Sequence, residues 1–135
     1  MRIFFATVCL LASSSMALSA AVPDEAALRA SMKQIGPVCT GLAKKITAKD
    51  ATSAADAKKL QAWFGDVGKF WKAKKAEDGV TFSKTAAAEF KAVSKLTAAG
   101  KWDEAGASFK KATATCSGCH GAHREKAADG SFKVK

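Results

Sequence analysis

Tyrosine is absent from the 135 residues and only two prolines occur, Pro23 and Pro37. Strand-like alternation of apolar and polar residues is hard to find anywhere, which disfavours a β-sheet core. No paired-carboxylate, Ser-His-Asp or phosphate-loop constellation is visible, so nothing in the chain marks it as an enzyme. After the first residues, no segment approaches the ~18 uninterrupted apolar residues that a membrane-spanning helix needs. One domain without a membrane span is what remains.

The start of the chain carries an export pattern. Arg2 gives a positive beginning, Ile3 to Ala12 (IFFATVCLLA) is an apolar run, and the small residues SSSMALSAA follow. This order is that of a cleaved secretory signal peptide over residues 1–20, with the cut falling between Ser19 and Val22. Cys9 lies inside the apolar run without a lipobox before it and is expected to leave with the leader. The domain of residues 21–135 is then exported and periplasmic. Of 22 basic and 12 acidic residues the leader removes Arg2, leaving 21 against 12, or +9. Such a balance points to an acidic protein partner or an anionic surface, or simply to a lysine-rich solvated exterior. Nucleic acid is disfavoured, because the chain is exported and its lysines do not gather in one dense run.

The helical period recurs four times. The first stretch opens at PDEAALRA, with Pro23 suited to a first turn and Asp24 and Glu25 complementing the helix dipole. Leu28, Met32, Ile35, Cys39, Leu42 and Ile46 follow at steps of 4, 3, 4, 3 and 4, an a/d seam. Pro37 lies off the seam and is expected to kink the helix without ending it. The second stretch begins near Ser53, paired with Asp56 in the manner of a capping box, and presents Leu60, Phe64, Val67 and Trp71. Glu77 to Val80 (EDGV) reads as its stop. The third runs from about Thr81 to Ala99 with Phe82, Ala86, Phe90, Val93 and Leu96 inward, and Gly100 ends it. The fourth starts at Trp102 and continues through Ala105, Phe109, Ala112, Cys116 and Cys119. Asp129 to Lys135 reads as a frayed tail. Four amphipathic helices on short connections indicate an all-α, antiparallel up-down-up-down four-helix bundle.

Three cysteines survive removal of the leader: Cys39, Cys116 and Cys119. An odd number in an oxidising compartment argues against a simple disulfide scaffold. Two of them fall in CSGCH, where Cys116 and Cys119 stand one helical turn apart and His120 follows directly. That arrangement suits covalent attachment of one haem c through two thiols, with the imidazole ligating iron from one face. A thioredoxin-like C-x-x-C would sit at a helix N-terminus beside a strand, where the dipole lowers the thiol pKa. A zinc site would need Cys116, Cys119, His120 and His123 to surround one ion from a single helix, which their geometry resists. Two idle or oxidised cysteines are the bland alternative. His123 is one turn beyond His120 and cannot reach the opposite haem face, so it is a surface residue or a neighbour of a haem edge.

The bundle supplies a candidate for the other face of the iron. The first and last helices are antiparallel neighbours, so Met32 near the start of the first falls at about the level of His120 near the end of the fourth. A thioether there would bind iron and raise its potential. The same placement also allows Met32 to pack against the ring and leave the sixth position open. Arg29 and Arg124 are candidates to offset propionate charge. Trp63, Phe64, Trp71, Phe82 and Phe90 are core residues, some of which should line the pocket.

The chain resembles the class II cytochromes c, the family of cytochrome c′ and its low-spin, methionine-ligated relatives. CSGCHGAHR is similar to the family's C-x-x-C-H-x-x-aromatic-Arg ending, with Arg124 at the basic position and His123 replacing the aromatic. LRASMKQIGPVCTGLAKKI is similar to the low-spin branch, in which the methionine corresponding to Met32 ligates iron. Five-coordinate members carry methionine or leucine there, but an arginine usually precedes by four residues. Leu28 occupies that position here, with Arg29 one step off. The resemblance implies a periplasmic electron carrier that docks an acidic redox partner protein. Its alternative is a five-coordinate protein binding nitric oxide or carbon monoxide at an open distal site. It also implies that two bundles can pair as a homodimer, with Cys39 either joining them or packing inside.

Overall fold

The computed structural model describes residues 23–135; the expected leader and Cys9 lie outside the described residues. The first helix, α1 (Glu25–Thr47), starts one residue after the expected acidic pair begins. Asp24 is its N-cap, and its carboxylate accepts from the Ala27 N–H at 2.8 Å, satisfying one of the orphan donors of the first turn. The helix runs on through an exposed Pro37. Next come α2 (Ser53–Ala73), α3 (Glu77–Ala98) and α4 (Trp102–His123).

α2 starts at Ser53 as expected, but its cap and its stop differ from expectation. Ser53 and Asp56 make no capping box: Thr52 is the N-cap without a side-chain bond, and the Ser53 hydroxyl is buried without a partner. Asp56 instead accepts from Lys45 of α1 at 2.6 Å, tying the two helices together at their shared end. The EDGV stretch is not a stop but the first turn of α3, with Glu77 and Asp78 at its positive end and Gly79 buried. The stop lies earlier, at Lys75. Lys75 has φ 58°, its N–H bonds to the Lys72 carbonyl at 3.1 Å, and the Ala76 N–H bonds to the Trp71 carbonyl at 3.1 Å. That is the Schellman pair of bonds. The same pair closes α1 at Lys49 (φ 54°) and α3 at Gly100 (φ 72°). Only the last carries the glycine that advertises such a turn.

The four helices pack against each other as a bundle, most extensively α2 on α3 and α3 on α4, with α1 leaning on α2 and α4 over much less of its length. The registers are antiparallel. Phe64 stacks on Phe90 with centroids 5.5 Å apart, and the Ser94 hydroxyl donates to the Ala54 carbonyl at 2.9 Å. Across the next pair, Phe90 meets Phe109 at 6.2 Å and Asp78 meets His123 at 2.8 Å. Leu60, Phe90, Val93, Ala105 and Ala112 are fully buried. Of the six α1 seam residues, Leu28, Ile35, Leu42 and Ile46 are buried, while Met32 and Cys39 are only partly so. Leu96 is likewise only half-buried, and Thr97 takes the inward place beside it, its hydroxyl bonded back to the Val93 carbonyl.

The frayed tail is replaced by a hairpin: β1 (Arg124–Lys126) pairs antiparallel with β2 (Phe132–Val134). It is anchored to α4 by the Lys135 N–H on the His123 carbonyl at 3.0 Å, and it reaches α1 through the Val134 N–H on Glu25 at 3.4 Å. No helix of the described residues is long and apolar enough to cross a membrane.

A lysine in the left-handed region costs about 1 kcal/mol that glycine does not pay. Lys75→Gly is therefore expected to raise unfolding stability by ~0.5–1 kcal/mol, and Gly100→Ala to lower it by ~1 kcal/mol. Urea denaturation of the three proteins checks both signs.

Candidate functional site

The loose apposition of α1 leaves a cavity of about 680 Å³ between it, the inner faces of α2 to α4, and the hairpin. Its size is that of a cofactor-binding pocket, and its walls are mostly apolar. α4 contributes Cys116, Cys119, His120 and His123, while α1 contributes Leu28, Met32, Ile35 and Cys39. Phe64, Trp71 and Phe82 also line it, whereas Trp63 and Phe90 do not.

The orientation of CSGCH follows from close packing of α4 on α3. A Cβ on Gly118 would come within 2.8 Å of the Phe82 ring, so with glycine here the ring lies directly against α4. Cys119 is buried, Cys116 is half-buried with its thiol 3.7 Å from the Ala112 carbonyl, and His120 is half-buried. Burial disfavours every charged form here. It pushes the Cys119 thiol up to about 11 and Cys39 to about 12, and raises Cys116 as well. His120 is held below the usual histidine value, first by burial and then by the Arg124 charge, which favours the neutral, ligating imidazole.

The sequence-expected site residues fall around this one cavity, with His120 near the end of α4 as expected. His120 lies three residues before the helix end at His123, where the chain turns into the hairpin. Beyond it β1 and β2 bring the chain end to the first turn of α1. Arg29 lines the cavity while paired with Glu25. Arg124 lines it with its guanidinium 4.1 Å from the Phe132 ring centre.

His123 is not a simple surface residue. Its side chain is 16% exposed, its Nε2 lies 2.8 Å from an Asp78 carboxylate oxygen, and its ring packs tilted against Trp71 with centroids 4.4 Å apart. The Trp71 N–H is buried and unpartnered, sealed from the cavity, so Trp71 offers the site a ring rather than a donor. Lys33, Phe132, Lys133 and Val134 also line the cavity and were not anticipated. The three hairpin residues had no signal in a tail read as frayed, and Lys33 sits beside Met32, one step off the seam.

Comparison with protein families, with characterised proteins and with solved structures yields no match. The donor set and the cavity fit a covalent haem: two thiols and an imidazole from one wall, a thioether from the facing helix, and cations at the rim. They do not fit the rivals as well. Among the described residues no three His, Cys, Asp or Glu side chains gather as a metal-ion site. Burial raises both thiols of the C-x-x-C pair, which works against the lowered thiol pKa of a dithiol exchange site.

The Cys39 thiol makes a pH prediction with a definite sign. Its folded value of about 12 exceeds the ordinary 9.0, so the unfolded chain loses its proton first. The stability that a neutral Cys39 contributes is intact below pH 9 and drains away as pH rises from 9 towards 12. In the haem-free chain, Cys39→Ala is expected to flatten the alkaline fall of the urea midpoint relative to the parent.

Proposed function

We propose that the chain is an exported, periplasmic c-type cytochrome that carries electrons, with one haem c attached through Cys116 and Cys119 and iron held by His120 and Met32. One observation carries the reading: those four side chains, from two different helices, line a single apolar cavity of about 680 Å³. The resemblance of CSGCHGAHR and of the Met32 stretch to the low-spin class II cytochromes c supports it.

When bound, the haem supplies one-electron exchange between ferric and ferrous iron. The residues of this chain would do the rest. Cys116 and Cys119 hold the ring by thioether bonds on the α4 side. His120, kept neutral by its surroundings, presents a nitrogen lone pair, and the flexible Met32 side chain offers sulfur from α1. Phe64, Val67 and Phe82 exclude water from the cavity and lower its dielectric, while Arg29 and Arg124 at its rim offset propionate charge. Axial ligand and burial together set the potential.

An optical spectrum of the purified ferrous protein is the test. Sharp low-spin bands are expected, with haem staying on the denatured chain. Met32→Ala should convert the bands to broad high-spin ones without loss of haem, and Cys116→Ala with Cys119→Ala should abolish covalent attachment. An unchanged low-spin spectrum in Met32→Ala would sink ligation by Met32. High-spin bands in the parent would favour the open-site, gas-binding alternative, and a haem-free product would overturn the reading.

A further inference from the structure

Among the described residues one large hydrophobic side chain is exposed: Phe132 on β2, at 48%. Its position is not isolated. It lies on the cavity rim, and the exposed Arg124 guanidinium sits over its ring, 4.1 Å from the centre, in a cation–π contact. Every fully charged side chain that lines the cavity is basic: Arg29, Lys33, Arg124 and Lys133. Glu25 and Glu125 pair with Arg29 and Lys133 but leave those cations about half exposed, at 48% and 51%. Surface pairs of that kind are weak and open to exchange for another carboxylate. Lys33 and Arg124 have no carboxylate within ion-pair reach among the described residues.

The hairpin that presents this rim is held firmly. The Ala127 N–H bonds to the Ser131 carbonyl at 2.7 Å, and the Lys135 ammonium donates to the Gly121 carbonyl at 2.9 Å. A fixed aromatic with an arginine against it, ringed by cations, is the arrangement that concentrates binding energy at a protein interface.

We infer that the rim formed by the β1–β2 hairpin and the first turns of α1 is the surface on which the chain docks its redox partner, and that the partner offers carboxylates around an apolar centre. The inference rests on the electron-carrier reading and adds where the partner sits and what its surface is made of. A partner bound there faces the opening of the cavity, so the docked geometry and the route to the cofactor coincide. The lysines on the outer faces of α2 and α3, such as Lys58 and Lys91, are exposed but line no part of the cavity.

The test uses the full haem-loaded chain on gold coated with two monolayers, one carboxylate-terminated and one mixing carboxylate and methyl ends. Adsorption is read by surface plasmon resonance, which needs no haem, and electron exchange is read by voltammetry on the same surfaces. At low salt, Lys33→Glu with Lys133→Glu is expected to weaken adsorption and slow electron exchange about tenfold on both monolayers. Lys58→Glu with Lys91→Glu, an identical change in net charge, should leave both within about twofold. Phe132→Ser should remove the preference of the parent for the mixed monolayer. Equal losses in the two charge-reversed variants would overturn the location of the dock. An unaltered monolayer preference in Phe132→Ser would overturn the apolar centre. Adsorption through the rim by a protein with no voltammetric wave would overturn the redox nature of the partner, while the covalent haem spectrum separately reports on the cofactor.

Discussion

The rotation of α4 about its own axis is the constraint on which the site depends, and small side chains impose it. Ala105, Ala112 and Cys119 recur at seven-residue steps and are all buried. At Gly118 the Phe82 ring lies against α4, where a Cβ would push it aside. Alanine and glycine let α4 lie close along α3, and that closeness leaves α4 little freedom to roll. With Cys119 turned inward, Cys116 and His120 on the adjoining turn present themselves to the space shared with α1.

That space exists because the bundle is unevenly filled. Phe64, Phe90 and Phe109 occupy the centre between α2, α3 and α4, and Leu42 and Ile46 carry the packing to one end of α1. Towards the other end the side chains facing Met32 and Cys39 include two cysteines and two threonines, Thr113 and Thr115, too small to fill the gap. Protein interiors are ordinarily close-packed, and apolar walls left facing water forgo the gain of burial. A flat apolar group of cofactor size would restore that packing. The hairpin completes the enclosure, and its cations give the opening one sign of charge.

Much of the bundle was legible residue by residue. The α1 seam was read in full, because a 4, 3, 4 step can serve only a helix with one apolar face. Phe64 of α2, Phe82 and Phe90 of α3 and the stop at Gly100 were read for similar local reasons, whereas Phe70, buried beside Trp71, fell outside the 4, 3, 4 step. Where the reading failed, one cause was local and the others lay in contacts between elements. Lysine is an uncommon occupant of a left-handed C′ position, so Lys75 carried no sign of a stop and the glycine in EDGV drew it downstream. Asp56 was claimed by Lys45 of a different helix, which no spacing within α2 could reveal. Strands of three residues, exposed but for Val134, leave no alternation to detect, and pairing between β1 and β2 alone makes them strands.

By itself the sequence determined the chemistry available and the helices that carry it. Two thiols and an imidazole stand one turn apart near the chain end, and a thioether lies on the apolar seam of the first helix. These are matters of covalent order and helical period, and they hold whatever surrounds them. Only the tertiary structure decided that the four groups share one cavity, that burial raises the thiols and lowers His120 from their ordinary values, and that His123 is engaged by Asp78 and Trp71. It also decided that the last dozen residues fold back as a wall of that cavity. Each of these depends on which helix faces which, and at what distance, and no short-range pattern encodes that.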